Sequence, residues 1–433
     1  MIARRASGRA LALFLAVVTV AANAAPASAS PDPPGEDTDE HAQGAAAAAP
    51  SWRVSLDGTA FVTGDFQGGL RGERQLASQN WFMAMAERPL GPGALTLTGM
   101  FSAEPLTVPA PGYSEIFQVG EASNGLQITD RQHPHDLFMQ LSGAWRVPVG
   151  DRSALTIAGG PVGEPTLGPV AFMHRPSAAE NPTAPLSHHL LDSTHIASSV
   201  VMGRVDAGVF AFEASAFHGR EPDDQHYDVP LGALDSWAAR VWVNPGRWTI
   251  QASHGFLHEP EQLEPGDQRR TNASVSWLRT RERDYSALTV AAGRVERQYS
   301  TLNGLLAEGT HHVRRVSLTG RFEWRTEETE ILLFPEIVHR PHPGELVDPI
   351  AAATAGAVYD VAYWGPLAIG AGGDATWYRV PPLLQFTHGE HPVSFHAFLR
   401  ISRADPRSRM WNMTMGGHSS GHSAVHDHHE QPD

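Results

Sequence analysis

Between Trp52 and about Ala404 the chain falls into short segments in which apolar and polar residues alternate with period two. In 314–325, Val316, Leu318, Gly320, Phe322 and Trp324 share one face, while Arg315, Ser317, Thr319, Arg321, Glu323 and Arg325 share the other. Val393, Phe395, Ala397, Leu399 and Ile401 oppose Ser394, His396, Arg400 and Ser402 in the same way, as Ala273, Val275 and Trp277 oppose Asn272, Ser274 and Ser276. A strand of this kind separates an apolar medium from a wet one. Segment 330–339 carries Pro335, which cannot donate to a ladder, so the strand expected there is bulged or short.

The connections alternate as well. Tight turns are expected at 88–93, 147–151, 203–206, 244–246, 279–284, 325–329 and 364–366. Long loops are expected at about 64–78, 104–134, 162–193, 218–231, 258–267, 297–310, 340–350 and 380–390. Seven turns interleaved with eight loops imply sixteen strands, and an even count is the habit of bacterial single-chain barrels. The expected fold is all-β: a transmembrane antiparallel up-and-down β-barrel of about 16 strands spanning 52–404, in a Gram-negative outer membrane. Alternation alone leaves a soluble sandwich open.

The flanking segments fit that picture. Arg4, Arg5 and Arg9 precede an apolar run from Leu11 to Ala22, and small-residue cleavage options follow, so 1–29 reads as a secretory signal peptide. Residues 30–51, rich in proline, alanine and acids, read as a disordered linker, and 405–433 as a Met/His-rich periplasmic tail. No other stretch has the roughly 18 apolar residues of a membrane helix. The chain has no cysteine, which removes disulfides and thiolate metal sites. Its charge of −15 becomes more negative without the three signal arginines, which argues against nucleic-acid partners.

The candidate chemistry lies in the histidines. Sixteen of the 23 fall, on this topology, in long loops or at the strand ends beside them, and none falls in a tight turn. The dense groups are His133 and His135, held on one face of an extended segment by Pro134, and His174, His188, His189 and His195. Asp130, Asp136 and Asp192 could complete or orient such sites. The tail adds thioethers from Met410, Met413 and Met415 and imidazoles from His418, His422, His426, His428 and His429. Thioether with imidazole is a soft donor set that favours copper, with zinc or nickel left open; nothing points to an organic cofactor.

Over 52–404 the chain resembles outer-membrane porin-type barrels. The words DRQHPHD (130–136) and PTAPLSHHLLDSTHI (182–196) are similar to outer-membrane proteins associated with copper and heavy-metal resistance. The tail resembles Met/His-rich stretches of periplasmic copper-resistance proteins. The resemblance implies metal ions, outer-membrane lipids and the barrel assembly machinery as partners. It departs from general porins in lacking a C-terminal aromatic, so Phe398 or Leu399 would serve in assembly.

The expected function is therefore a non-enzymatic barrel that binds or passes transition metal ions, with loops 104–134 and 162–193 folded inward. Arg240, Glu213, Arg315, Arg321, Glu323 and Arg400 would line the lumen. A non-specific porin or structural barrel is the alternative. A lipid hydrolase built on Ser187 or Ser193 is a third reading, but no G-x-S-x-G context accompanies either serine.

Overall fold

The computed structural model describes residues 51–193, 196–334 and 346–418. The signal peptide and most of the linker lie outside these residues, as do His195, His422, His426, His428 and His429 and the strand expected from Pro335 onward.

In chain order the first strands are β1 (Arg53–Phe66), a short β2 (Arg74–Ala77), β3 (Asn80–Leu90) and β4 (Gly93–Phe101). The hairpin of β5 (Tyr113–Ser123) and β6 (Leu126–Gln132) precedes β7 (Phe138–Gly150), β8 (Ser153–Gly163), β9 (Ala197–Ala207), β10 (Phe210–His218), β11 (Ser236–Val243) and β12 (Trp248–Leu257). The remainder are β13 (Gln268–Arg281), β14 (Asp284–Glu296), β15 (Thr301–Val313), β16 (Val316–Glu328), β17 (Val347–Trp364), β18 (Leu367–Arg379) and β19 (Val393–Arg403). Without β2, β5 and β6, sixteen strands form one antiparallel ring. It closes where β1 pairs with β19, Thr59 opposite Ser402 and Phe66 opposite Phe395. Closure leaves no edge, the condition for crossing hydrocarbon with strands.

Alternation along the wall is that of a ring between lipid and an interior. In β14, Leu288 and Val290 are exposed on the outside, whereas Ala287 and Ala291 are buried inside. In β16, Leu318 and Phe322 face out and Ser317, Arg321, Glu323 and Arg325 face in. A continuous apolar exterior of this extent would be an association liability in water and is the natural surface in a bilayer.

Seven short turns lie at one end of the barrel and the longer loops at the other. The strand count agrees with the sequence reading, but one hairpin is shifted. The tight turn expected at 325–329 lies at Arg314-Arg315, and the loop expected at 297–310 shrinks to 297–300 because β15 begins at Thr301. Residues 329–333 form a helical turn where a strand was expected. The reason is the interior of β15: Leu302 and Leu306 face inward but are apolar, because Leu190 and Leu191 of an inner loop pack on them. With both faces apolar, the alternation disappears. Likewise the turn expected at 203–206 lies at Gly208, and Arg204 and Asp206 are a buried inward pair at the end of β9. Arg315, expected in the lumen, is exposed in a turn.

Three segments fill the barrel. Hairpin β5–β6 and the loop from Glu164 to Ser193 fold inward and are largely buried. After β19 the chain also turns in. Arg409 donates to Asp57 and Thr59 of β1, the Met410 amide donates to Asp57 Oδ2 at 2.7 Å, and the Asn412 amide donates to the His174 carbonyl at 2.9 Å. Met410, Trp411, Met413 and Met415 are 3–5 % exposed, and a Cβ on Gly163 would fall 2.4 Å from Met415 Sδ. The part of the tail expected below the barrel is therefore inside it through Gly416. Burying one indole and three thioethers stabilises this placement by several kcal/mol, at roughly 1.5–3 kcal/mol per large apolar side chain.

Candidate functional site

Buried ion pairs fasten the 164–193 loop to the wall. Arg175 donates from Nε to Glu308 of β15 at 2.7 Å and also pairs with Asp192. Glu164 accepts from Arg240 of β11 at 3.1 Å, and Arg240 in turn donates to Glu213 at 2.8 Å. Glu180 pairs with Arg400 of β19, which donates to Asp360 at 2.5 Å. Ser187 donates its hydroxyl to Glu323 at 2.7 Å. Charges taken out of water are tolerable only when paired in this way. The sequence reading named Arg240, Glu213, Arg321, Glu323 and Arg400 for the lumen, and all five lie there. It missed Arg175, Glu164, Glu180 and Glu308. Strand position would have found Glu308, but nothing local marks the three loop residues.

The histidines divide among several settings. His133, His188 and His189 meet in a cavity of about 20 Å³ near the loop-side end, with Glu121, Glu221 and Asp136 also on its wall. The ring of His189 lies 5.3 Å from that of His133 and 5.1 Å from that of His188, centroid to centroid, both edge-on. His133 Nδ1 is 3.1 Å from Glu121 Oε2. His188 Nδ1 is 2.7 Å from Asp192 Oδ1, and His189 Nε2 is buried without a hydrogen-bond partner. A Cβ on Gly120 would fall 2.1 Å from His189 Cε1, so only glycine lets β5 pass this ring.

Burial, then the neighbouring His188 and His133, holds the His189 imidazole well below its usual range, and burial followed by His135 and His188 does the same for His133. Burial, then Glu221 and Asp136, pushes the Glu121 carboxyl well up. At neutral pH the imidazoles of His133 and His189 are therefore uncharged, the protonation state in which histidine ligates. Among the described residues, however, no three histidine or carboxylate groups converge as a ready-made ion cage.

His135 also lines this cavity, and the remaining sequence candidates lie elsewhere. His135 is held by Glu104, its Nδ1 2.9 Å from Oε2. His174 is 5 % exposed, packs edge-on to Trp81 at 4.9 Å, and has its imidazole against the Met410 backbone. Met410 and Met413 join a methionine-rich cluster, and Met415 packs with Met202 in a separate one. His418 ends the described chain, paired through its backbone with Met413. His311 and His312, expected beside a long loop, stand by the Arg314-Arg315 turn at the opposite end, so the histidines are less one-sided than the sequence suggests. Of the two serines considered for hydrolysis, Ser187 is engaged by Glu323, and Ser193 accepts from Arg270 at 2.7 Å.

No protein-family model matches the chain, and no curated protein sequence does. Solved structures to which it is similar include an anion-selective porin from Comamonas acidovorans, 9% identical over 81% of this chain and all of that one, with a TM-score of 0.49. OprB of Pseudomonas putida is 10% identical over 81% and 94%, with a TM-score of 0.48. Salmonella typhi OmpF is 10% identical over 81% and 97%, with a TM-score of 0.47. The closed sixteen-strand antiparallel ladder and its apolar exterior define the fold on their own.

Proposed function

We propose that this protein is a porin-type channel of the outer membrane, non-enzymatic, that passes small solutes by diffusion and is closed in the arrangement described. The observation that carries the reading is the pairing of Arg175, Glu164 and Glu180 with wall charges, which holds a loop across the lumen. A space of about 770 Å³ lies at the turn-side end beside Arg283, Tyr363 and Arg407, whereas two cavities deeper inside are small, about 40 Å³ beside Trp81 and about 20 Å³ beside the histidines. Each of these two has room for about one or two waters. Ser187 and Ser193, tied to Glu323 and Arg270, hold the same loop and perform no hydrolysis on this reading. Liposome swelling with small sugars tests it. The full chain should admit them slowly, and Glu164→Gln with Glu180→Gln should speed entry. Fast entry through the unaltered protein contradicts closure.

One observation favours a second reading, the handling of a transition metal, most simply copper: His133, His188 and His189 share a cavity in which the His189 Nε2 is unpartnered. On this reading the ion is cargo, and the imidazoles collect it at the loop-side mouth. Copper and zinc titration of a chain ending at Ser408 distinguishes the two readings. Binding that survives this truncation and is lost in His133→Phe with His189→Phe supports metal handling, whereas no binding leaves a channel without metal selectivity.

A further inference from the structure

Ten methionines occur in the chain, and eight of them are 1–7 % exposed inside the barrel. Six of the eight belong to one cluster of ten buried residues: Met83, Met100, Met139, Met173, Met410 and Met413. They come from three wall strands, the inner loop and the C-terminal segment. Met83 and Met100 are direct cross-strand partners, and Met83 also pairs with Asp57, the residue that accepts the Met410 amide.

Packing alone does not explain this composition. A different cluster in the same barrel meets the need for a filled interior with Ile116, Leu186, Ile331, Leu332, Ile350 and Leu384 and contains no methionine. Branched aliphatics hold fewer rotamers and specify a core better than thioethers do. What methionine adds is a soft, polarizable sulfur, and soft sulfur ligands select Cu(I) among the biological metals.

We propose that this cluster is a binding site for a soft monovalent cation, Cu(I) or its congener Ag(I), ligated by several of the six thioethers with His174 at its edge. The donors are neutral, and the nearby carboxylates are already engaged, Asp57 by Arg409 and Glu104 by His135 and the Asn80 amide, so a buried divalent ion would keep most of its charge uncompensated. A monovalent ion incurs far less of that penalty. His174, edge-on to Trp81 and with its imidazole against the Met410 backbone, places one ring nitrogen beside the thioethers. A cavity of about 40 Å³ lies against one side of the cluster, where Trp81 and Met173 line it. The site is independent of whether the barrel conducts.

The test is Ag(I) titration of the detergent-solubilised full chain, with X-ray absorption to identify the neighbouring atoms. One tight equivalent with sulfur neighbours is expected, retained when residues 419–433 are removed. Met83→Leu with Met100→Leu should weaken binding by about tenfold or more, equivalent to ~1.4 kcal/mol, while thermal stability changes little because Leu and Met interchange at low strain. Nitrogen-only neighbours, loss of binding with 419–433, or unchanged affinity in the leucine variant would each overturn the proposal. Oxidation footprinting of the unsubstituted protein adds a readout that needs no variant. Ag(I) should slow sulfoxide formation at the six methionines relative to Met202 and Met415, and equal rates at all eight would count against the site.

Discussion

The wall from β10 to β16 and the three segments inside it obey different rules. On the wall each residue faces one of two media, so Val290 outside and Ala291 inside follow from position alone. Inside, both sides of the chain are covered, and the 164–193 loop buries Arg175, Leu190 and Asp192 side by side. There a residue is acceptable only if its particular partner is present. The wall is therefore tolerant wherever polarity is kept, whereas the interior depends on individual pairs.

The largest expected effect comes from breaking such a pair. Arg175→Ala leaves Glu308 and Asp192 without their shared cation and should cost about 3–5 kcal/mol, the usual range for a buried pair losing one member. Chemical unfolding in detergent would read this as an earlier midpoint. Val290→Arg, on the lipid face at mid-strand, should cost roughly 2–4 kcal/mol through polarity alone. A much smaller loss there would mean that this face does not meet hydrocarbon. Gly120→Ala should cost about 1–3 kcal/mol through overpacking against His189, and pairing it with His189→Ala should recover most of the loss.

The smallest effect is a slope with pH. Burial pushes the Glu164 carboxyl up to about 7 despite Arg240, from an ordinary value of 4.5. Its folded form thus holds a proton that the unfolded chain releases. This contribution to stability is complete below pH about 4.5 and declines as pH rises through about 7. Thermal melts of the parent and of Glu164→Gln should converge at low pH and diverge toward neutrality, with the parent losing more. Parallel curves would show that the carboxyl is not buried as described.

The contrast also explains what was legible in the sequence. Sixteen strands, the faces of β16 and β19, and the five lumen charges Arg240, Glu213, Arg321, Glu323 and Arg400 could be read because two-solvent alternation writes them into the chain. β15 could not, since Leu302 and Leu306 face an apolar inner loop and mimic the lipid side. The approach of His133, His188 and His189 was partly visible as two dense words. The gathering of Met83, Met100, Met139 and Met173 around Met410 and Met413 was invisible, because single methionines on distant strands carry no pattern until closure brings them together.

The central claim is that the barrel is filled by its own chain. Single-channel recording in planar bilayers tests it most directly, comparing the full protein with a chain ending at Ser408, which lacks the segment lodged against Asp57 and Gly163. The expected result is little or no conductance from the full protein and larger, more frequent steps from the shortened one. A stable, wide conductance from the full protein, unchanged by the truncation, would contradict it.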